Sequence, residues 1–443
     1  GRATYDYDNR YLAEFNFGYN GTERLEAGKR YEFFPAMSLG WVASNEKFWT
    51  PIIDVVNYFK LRSSYGLVGS DETGLYAGAP HYLYLSNVNM NGGGNFESGV
   101  TGGLSQQGPM VNSYPVSNAS WERATEFDIG VDLQLFKQFN FTFDWFSSKR
   151  DRILMKRASF PSVLGYQNAI PWANVGKVDN MGFEFSANWT KQINKDWFID
   201  ARVNWTYSKN KYVYVDEPDY PYVWQTQTGK PLDAMRGYIA DGLFESQAEI
   251  DASPDQSIFG STIMPGDIRY RDINGDNRIT AEDQVMLSPY GNMPRIQYGF
   301  GISVQWKDLD VNVFFNGSAK RNIMLTGMYP FCANDSNDNN LMKWIADSHW
   351  SEGADNSNVL YPRLGTLSTQ ISNNNQPSSW WMRNGSFLRF KTLEIGYRLK
   401  WFRLYFSADN LAVWSKFKYW DPELSFNSYP LQRTFNIGLQ FNL

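Results

Sequence analysis

Apolar and polar residues alternate with a period of two in segment after segment of this chain, and no long stretch is apolar throughout. Between residues 126 and 135, Phe127, Ile129, Val131, Leu133 and Leu135 interleave with Glu126, Asp128, Gly130, Asp132 and Gln134. Residues 139–145 set Phe139, Phe141, Phe143 and Trp145 against Asn140, Thr142 and Asp144. The same beat runs through 403–409 (Leu404, Phe406, Ala408) and 434–443 (Phe435, Ile437, Leu439, Phe441, Leu443). A period of two means β-strands with one apolar and one polar face. Aromatic residues make up 17% of the 443 residues, yet the mean hydropathy is −0.47. Strands that meet hydrocarbon on one side and water on the other need both properties at once. There is no run of about 18 apolar residues that could form a transmembrane helix, and spanning strands of about 9–11 residues require none.

The alternation predicts about twelve strands, near 11–20, 31–42, 58–69, 122–136, 138–149, 180–191, 196–209, 296–306, 308–319, 386–399, 402–412 and 431–443. Their links take turns in length. Lys137-Gln138, Lys307-Asp308, Lys400-Trp401 and residues 191–196 are short, whereas 70–120, 150–178, 210–294 and 320–385 are long. One short-side link, 43–57, is longer and reads as a helical turn. Outer-membrane barrels sort their connections in this way, with short periplasmic turns and long extracellular loops. The fold class is therefore all-β, a transmembrane antiparallel β-barrel with long extracellular loops. Trp41, Trp145, Trp189, Trp205 and Trp306 fall on outward positions near strand ends, as an aromatic girdle would, although sheets favour aromatics in any setting. Inward positions carry Glu126, Asp128, Asp132, Asp144, Glu184, Asn188, Arg202, Asn204, Asn312 and Asn316, which would wet an interior.

Several function classes find no support. The net charge is −5 and the 41 basic residues are dispersed, against nucleic-acid binding. The single Cys332 forms no internal disulfide and reads as incidental. His81 and His349 are the only histidines, both in predicted loops. Gly21 to Lys29 has the wrong spacing for a phosphate loop, and Arg30 replaces its Ser or Thr. Asp421 and Glu423 lie in a DPE turn and read as solvated carboxylates. Nothing here composes an enzyme.

Two features suggest binding. Residues 272–283 place Asp272, Asn274, Asp276, the Arg278 carbonyl, Thr280 and Asp283 at the oxygen-ligand positions of a calcium loop. The spacing is closer to a dockerin-type loop than to a helix–loop–helix sensor. Asn277 stands where glycine is usual, a position that asparagine tolerates, and Asp283 replaces the usual Glu. The expected ion is a structural Ca2+ that stiffens the 210–294 loop; a metal-free polar turn is the alternative. Aromatic clusters at Tyr76, Tyr82 and Tyr84, at Tyr220, Tyr222 and Trp224, at Trp380 and Trp381, and at Tyr419 and Trp420 offer flat rings beside polar residues. Such rings suit sugars and peptides, and equally loop packing or contact with a lid protein.

Collinear motifs then carry a family resemblance. They are YDYDNRYLAEFNFGYNGTERL (5–25), FFPAMSLGWVASNEKFW (33–49), LRSSYGLVGS (61–70), WERATEFDIGVDLQLF (121–136), NVGKVDNMGFEFSANW (174–189), GYIADGLFES (237–246), PGDIRYRDINGDNRITAEDQ (265–284), YPRL (361–364), SFLRFKTLEIGYRL (386–399), DNLAVWSKFKYWDPELS (409–425) and YPLQRTFNIGLQFNL (429–443). In this order they resemble the C-terminal half of SusC/RagA-like TonB-linked outer-membrane transporters. The resemblance implies a barrel of 22 strands, of which residues 1–443 supply the last twelve, with the plug, the TonB box and the native N-terminus upstream. It also implies a SusD-like surface lipoprotein as lid, TonB–ExbB–ExbD as motor, and import of a bulky nutrient, a glycan oligomer ahead of a peptide. A passive porin or surface adhesin is the rival. Such barrels commonly end on an aromatic residue; Leu443 departs from that, with Phe441 two positions earlier on the same face.

Overall fold

A computed structural model describes residues 1–71, 81–99, 104–116, 118–160, 170–325, 341–365, 368–424 and 428–441. Tyr76, Cys332 and Leu443 lie outside the described residues. The chain divides into two compact units, Gly1–Asp219 with Gln227–Leu232, and Tyr220–Thr226 with Asp233–Leu443. In the first unit eight strands pair antiparallel in chain order: β1 Arg2–Tyr7, β2 Tyr11–Gly21, β3 Tyr31–Val42, β4 Val56–Ser70, β5 Glu122–Leu135, β6 Phe139–Lys156, β7 Trp172–Asn194 and β8 Trp197–Tyr214. In the second, five do so: β9 Ile296–Trp306, β10 Leu309–Ala319, β11 Phe387–Arg398, β12 Phe402–Ser415 and β13 Thr434–Phe441.

Among the described residues the principal strands number thirteen, one more than the alternation indicated. The addition is β1, which turns into β2 through Asp8 and Asn9. Both residues are left-handed (φ 55° and 50°), and the Arg10 N–H bonds the Tyr7 carbonyl at 3.0 Å. This is a type I′ turn, whose backbone twist matches that of the strands it joins. Phe136 and Lys137 make the same kind of turn between β5 and β6 (φ 52° and 56°).

Among the described residues many apolar side chains on the outward faces of these strands are exposed. Phe435, Ile437 and Leu439 on β13 are 59%, 79% and 55% exposed, and Phe127, Ile129, Phe143, Phe300 and Ile302 are exposed as well. In water such faces would drive aggregation; against hydrocarbon they are the correct surface. Of the girdle candidates, Trp145 and Trp306 are exposed. Trp189 stacks on Phe139 at 5.8 Å, and Trp205 lies 4.8 Å from Phe183.

Buried apolar cores occur outside this alternation. In the first unit Leu25, Phe34, Leu83, Trp121, Leu154 and Trp172 pack together; in the second, Tyr238, Ile268, Tyr270, Ile279, Tyr361 and Trp381 do. Strands β6, β7 and β8 run past their expected ends on the long-loop side. At 23 residues, β7 would extend roughly 75 Å at the usual rise, far beyond a hydrocarbon core of about 30 Å. A register shift after Arg150, with Arg152 left-handed at φ 56°, ends the strict alternation. Beyond it Ile153, Leu154 and Met155 are all buried.

Long and short links alternate within each unit except at the 43–55 link, which is longer than the 22–30 link before it and contains the helical turns expected, Ala43–Asn45 and Lys47–Ile52. A charge on the outer face should therefore be costly and one on the inner face should not. Ile129→Arg and Ile302→Arg should each destabilise the vesicle-inserted protein by about 2–4 kcal/mol if near mid-bilayer. Thr142→Arg, on the inner face opposite Asp132, should change it by less than about 1 kcal/mol. Denaturant titrations in lipid vesicles would check this.

Candidate functional site

The polar inner face is tied together by arginines that cross glycines. Arg62 on β4 pairs in register with Gly130 on β5, and Gly130 pairs with Asp144 on β6. With no side chain on Gly130, the Arg62 guanidinium reaches across β5 to Asp144 at 2.6 Å, and meets Asp132 at 3.3 Å and Asp128 at 3.5 Å. A Cβ at Gly130 would stand 2.3 Å from the Asp144 carboxylate. The second unit repeats the device. Arg403 on β12 passes Gly396 on β11 to bond Asp310 on β10 through Nε at 3.0 Å, and also meets Glu394 at 2.6 Å. Several other expected inward residues are also wall structure: Asn188 donates to Asp200 at 3.0 Å, Asn312 accepts from Ser303 at 3.0 Å, and Glu126 accepts from Ser148 at 2.7 Å.

On the long-loop side of the second unit lies a groove of about 960 Å³, bordered by 241–249, 264–269, 350–363 and Trp380. Its floor is a buried polar network. Asp267 is fully buried and pairs with Arg363 at 2.6 Å, and accepts from Asn374 at 2.7 Å and from the Met264 N–H at 2.9 Å. Burial pushes the Asp267 carboxyl up, while Arg363 pulls the other way. Burial also pushes up the Tyr270 hydroxyl, which donates to the Asn373 carbonyl at 2.7 Å. Gly266, at φ 91°, lies beneath the Trp350 ring; a Cβ there would come within 2.4 Å of it. The ring is thus seated on a rigid turn. Asp241, Glu245, Glu249, Glu352 and Asp355 bring carboxylates to the groove. Arg271 holds Asp241 and Arg269 holds Glu249. The Ser357 hydroxyl and N–H keep Asp355 below the usual carboxylate range.

The expected ligand-touching aromatics separate into distinct roles. Trp380 borders the groove. Trp381 does not: it is 1% exposed, edge-on to Tyr361 at 5.1 Å, with its Nε1 donating to the Asn374 carbonyl at 2.6 Å. It is a core residue, because successive residues of the pair point to opposite sides. Trp420 packs against the same core. Tyr222 and Trp224 stack at 4.5 Å and 9°, and Trp224 Nε1 donates to the Glu282 carbonyl at 2.7 Å, bracing the 272–283 loop. In the first unit Tyr82 is exposed and edge-on to Tyr84 at 6.1 Å. Trp350 was not among the candidates, because it stands alone in sequence, outside any cluster of rings.

The 272–283 loop is folded by its own side chains. Asp272 accepts the Gly275 N–H at 2.7 Å and the Asn277 N–H at 2.8 Å, and Asp276 accepts the Arg278 N–H at 2.8 Å. Asn277 is left-handed at φ 62°, as its position requires. Asp283 is fully buried, and its two oxygens take the N–H groups of Ile273 (2.8 Å), Asn274 (3.4 Å) and Thr280 (2.7 Å). It caps the turn at Thr280 and is committed to backbone rather than aimed at an ion. Among the described residues no three Asp, Glu, His or Cys side chains converge as a metal cage. Of the other side-chain candidates in the loop, Asp276 is exposed, and Asp272, Asn274 and Thr280 are half-buried.

Asp421 and Glu423 are not freely solvated, contrary to expectation. Both bind Arg389, itself 3% exposed, at 2.7 and 2.8 Å. Arg321 donates to the Pro422 carbonyl between them, so two arginines fix this turn.

A family model described as "TonB dependent receptor-like, beta-barrel" matches residues 2–411. TonB-dependent receptor P3 of Formosa agariphila is 25% identical over 99% of this chain and 44% of its own length. TonB-dependent receptor SusC of Bacteroides thetaiotaomicron is 25% identical over 99% of this chain and 43% of its own. The chain thus spans somewhat under half the length of these relatives. Among solved structures, the RagAB peptide transporter superposes with a TM-score of 0.71 at 19% identity, over 99% of this chain and 46% of that one, a likeness of fold.

Two substitutions test the inner-face device. Gly130→Leu should displace Arg62 from Asp144 and cost about 1–3 kcal/mol. The double variant with Arg62→Ala should lose clearly less than the sum of the two single losses, since both remove one interaction. Full additivity in a double-mutant cycle would count against the bridge.

Proposed function

Because the chain belongs to the TonB dependent receptor-like β-barrel family, whose members are outer-membrane proteins, we propose that it forms the wall and outer loops of an active importer that takes a glycan oligomer across that membrane. The groove carries this reading. Trp350 and Trp380 present flat apolar faces beside carboxylates, Asn356 and Arg269, the pairing of surfaces that a sugar ring, apolar on its faces and hydroxylated on its edges, would use. A peptide is the alternative cargo for the same groove. The similarity to SusC supports a SusD-like surface lipoprotein over the loops. TonB–ExbB–ExbD would act through a plug rather than through the barrel segment itself.

In cells carrying the full-length protein, uptake of labelled oligosaccharides should require TonB. Uptake that persists without TonB would identify a passive porin, and surface attachment without uptake an adhesin. Trp350→Ala and Trp380→Ala should each weaken oligosaccharide binding by roughly 30-fold, as loss of about 2 kcal/mol at an aromatic anchor does. Binding of a peptide panel in place of glycans, measured by calorimetry, would replace the cargo assignment and leave the groove in place.

For the 272–283 loop we propose a reinforcing Ca2+ on the oxygens of Asp272, Asn274 and Asp276, with the Arg278 carbonyl and Thr280, while Asp283 braces the backbone beneath. Hard oxygen donors at this spacing suit calcium, and each carboxylate oxygen keeps lone-pair capacity beyond its N–H bonds. Added Ca2+ should slow proteolysis within 272–283 and chelator should restore it, with the strand signal unchanged in circular dichroism. Identical cleavage rates in both conditions would rule the ion out.

A further inference from the structure

The short-turn rim of the first unit carries an apolar surface that strand alternation does not explain. After β3 the chain makes the two helical turns at 43–52 before entering β4. Within this link Phe48 is 62% exposed, and Ile52 and Val55 are exposed as well. The rings show which side of the wall it covers. Trp41 and Phe59 occupy outward positions: Trp41 shares a register row with Tyr11 and Leu61, and Phe59 pairs with Leu133. Phe48 packs 6.4 Å from Trp41, and Trp49 stacks on Phe59 at 5.4 Å. The link therefore folds over the outer wall, the side that meets lipid, and not over the inner face.

It is also fixed in that position. Glu46 accepts from the Tyr11 hydroxyl at 2.6 Å, from Arg10 at 3.1 Å and from Trp41 Nε1 at 3.3 Å. Asn45 donates to the Asn9 carbonyl at 2.7 Å, and Trp49 Nε1 to the Val56 carbonyl at 2.9 Å. The neighbouring turn is joined on: the Phe136 N–H bonds the Val55 carbonyl at 2.8 Å, and Phe136 is exposed. Exposed Lys47 and Lys137 adjoin these apolar residues.

We propose that this link is a foot seated in the periplasmic leaflet, with Phe48, Ile52, Val55 and Phe136 at the acyl boundary and Lys47 and Lys137 at the phospholipid phosphates. Continuity with the lipid-facing belt identifies the occupant. Apolar residues held outward by a polar scaffold, next to cations, have the make-up of an interfacial membrane segment. The foot would set the depth of the barrel in the bilayer, because a seated wedge resists vertical sliding in a way that smooth strands do not.

The test uses the full-length protein with Cys332 and every cysteine outside this segment replaced by Ser, with a nitroxide placed by Phe48→Cys, Ile52→Cys or Asn45→Cys and the protein in phosphatidylethanolamine–phosphatidylglycerol vesicles. Phe48 and Ile52 labels should be relaxed by oxygen and protected from a water-soluble nickel chelate, with an oxygen-to-nickel ratio several-fold above that at Asn45. Nickel access at 48 and 52 equal to that at 45 would overturn the proposal. Should labelling at 48 disturb the Trp41 contact, Val55→Cys gives the same reading from the far end of the foot. None of these outcomes depends on the cargo or on import.

Discussion

A strand inside a bilayer has no water to satisfy its backbone, so every N–H and C=O must pair with a neighbouring strand while the side chains divide between hydrocarbon and the inner side. The organisation of this protein follows from that requirement. Because pairing occupies the backbone, alternation alone assigns each residue to a face. Because the outer face needs no protein cover, Phe435, Ile437 and Leu439 stay exposed where a soluble sheet would bury them. The apolar cores are displaced to the loops and the strand ends beside them, where Trp121 and Trp172 in one unit and Tyr270 and Trp381 in the other do the packing that strands do in soluble folds.

The inner face has a different problem. An isolated ion pair in contact with water contributes at most about 1 kcal/mol, and a wall cannot be held by such pairs singly. Arg62 over Gly130 and Arg403 over Gly396 convert a pair into a cross-brace. Each joins strands that are not hydrogen-bonded to one another, so the guanidinium resists shear between three strands. The glycine is required in each case because the arginine occupies the space a side chain would take. In the first unit three aspartates share one guanidinium, and Lys60 stands opposite Asp132 in register.

The strands were legible in the sequence because their side chains answer to one local rule, the face they meet. Where that rule lapsed, so did legibility. Arg2–Tyr7 escaped because its outward residues are Ala3, Tyr5 and Tyr7, only weakly apolar as a set, and because Asp8-Asn9 makes its turn without the usual glycine. The extensions of β6 and β7 escaped because the bulge after Arg150 ends strict alternation and the residues beyond it answer to a loop core. The left-handed position of Asn277 was readable from spacing alone. The roles of Trp380 and Trp381 were not, since adjacent tryptophans in a loop carry no period that says which one faces out. Nor was the clamp on Asp421 and Glu423, whose partner Arg389 lies 32 and 34 residues earlier on a strand.

The same contrast bears on function. Loops of this length would ordinarily be costly to order, and a binding surface built on mobile segments would lose affinity to that cost. Here the groove floor is set by contacts between segments distant in sequence. Asp267 meets Arg363 and Asn374, and Tyr270 meets Asn373, about a hundred residues on. Trp350 is then held over Gly266 by a turn already fixed from below. The exposed carboxylates at the rim, Asp241, Glu245, Glu352 and Asp355, can vary without disturbing that floor. Under the proposed import function, cargo recognition would change at the rim while the floor keeps its geometry, the division of labour expected where loops carry binding on a rigid scaffold.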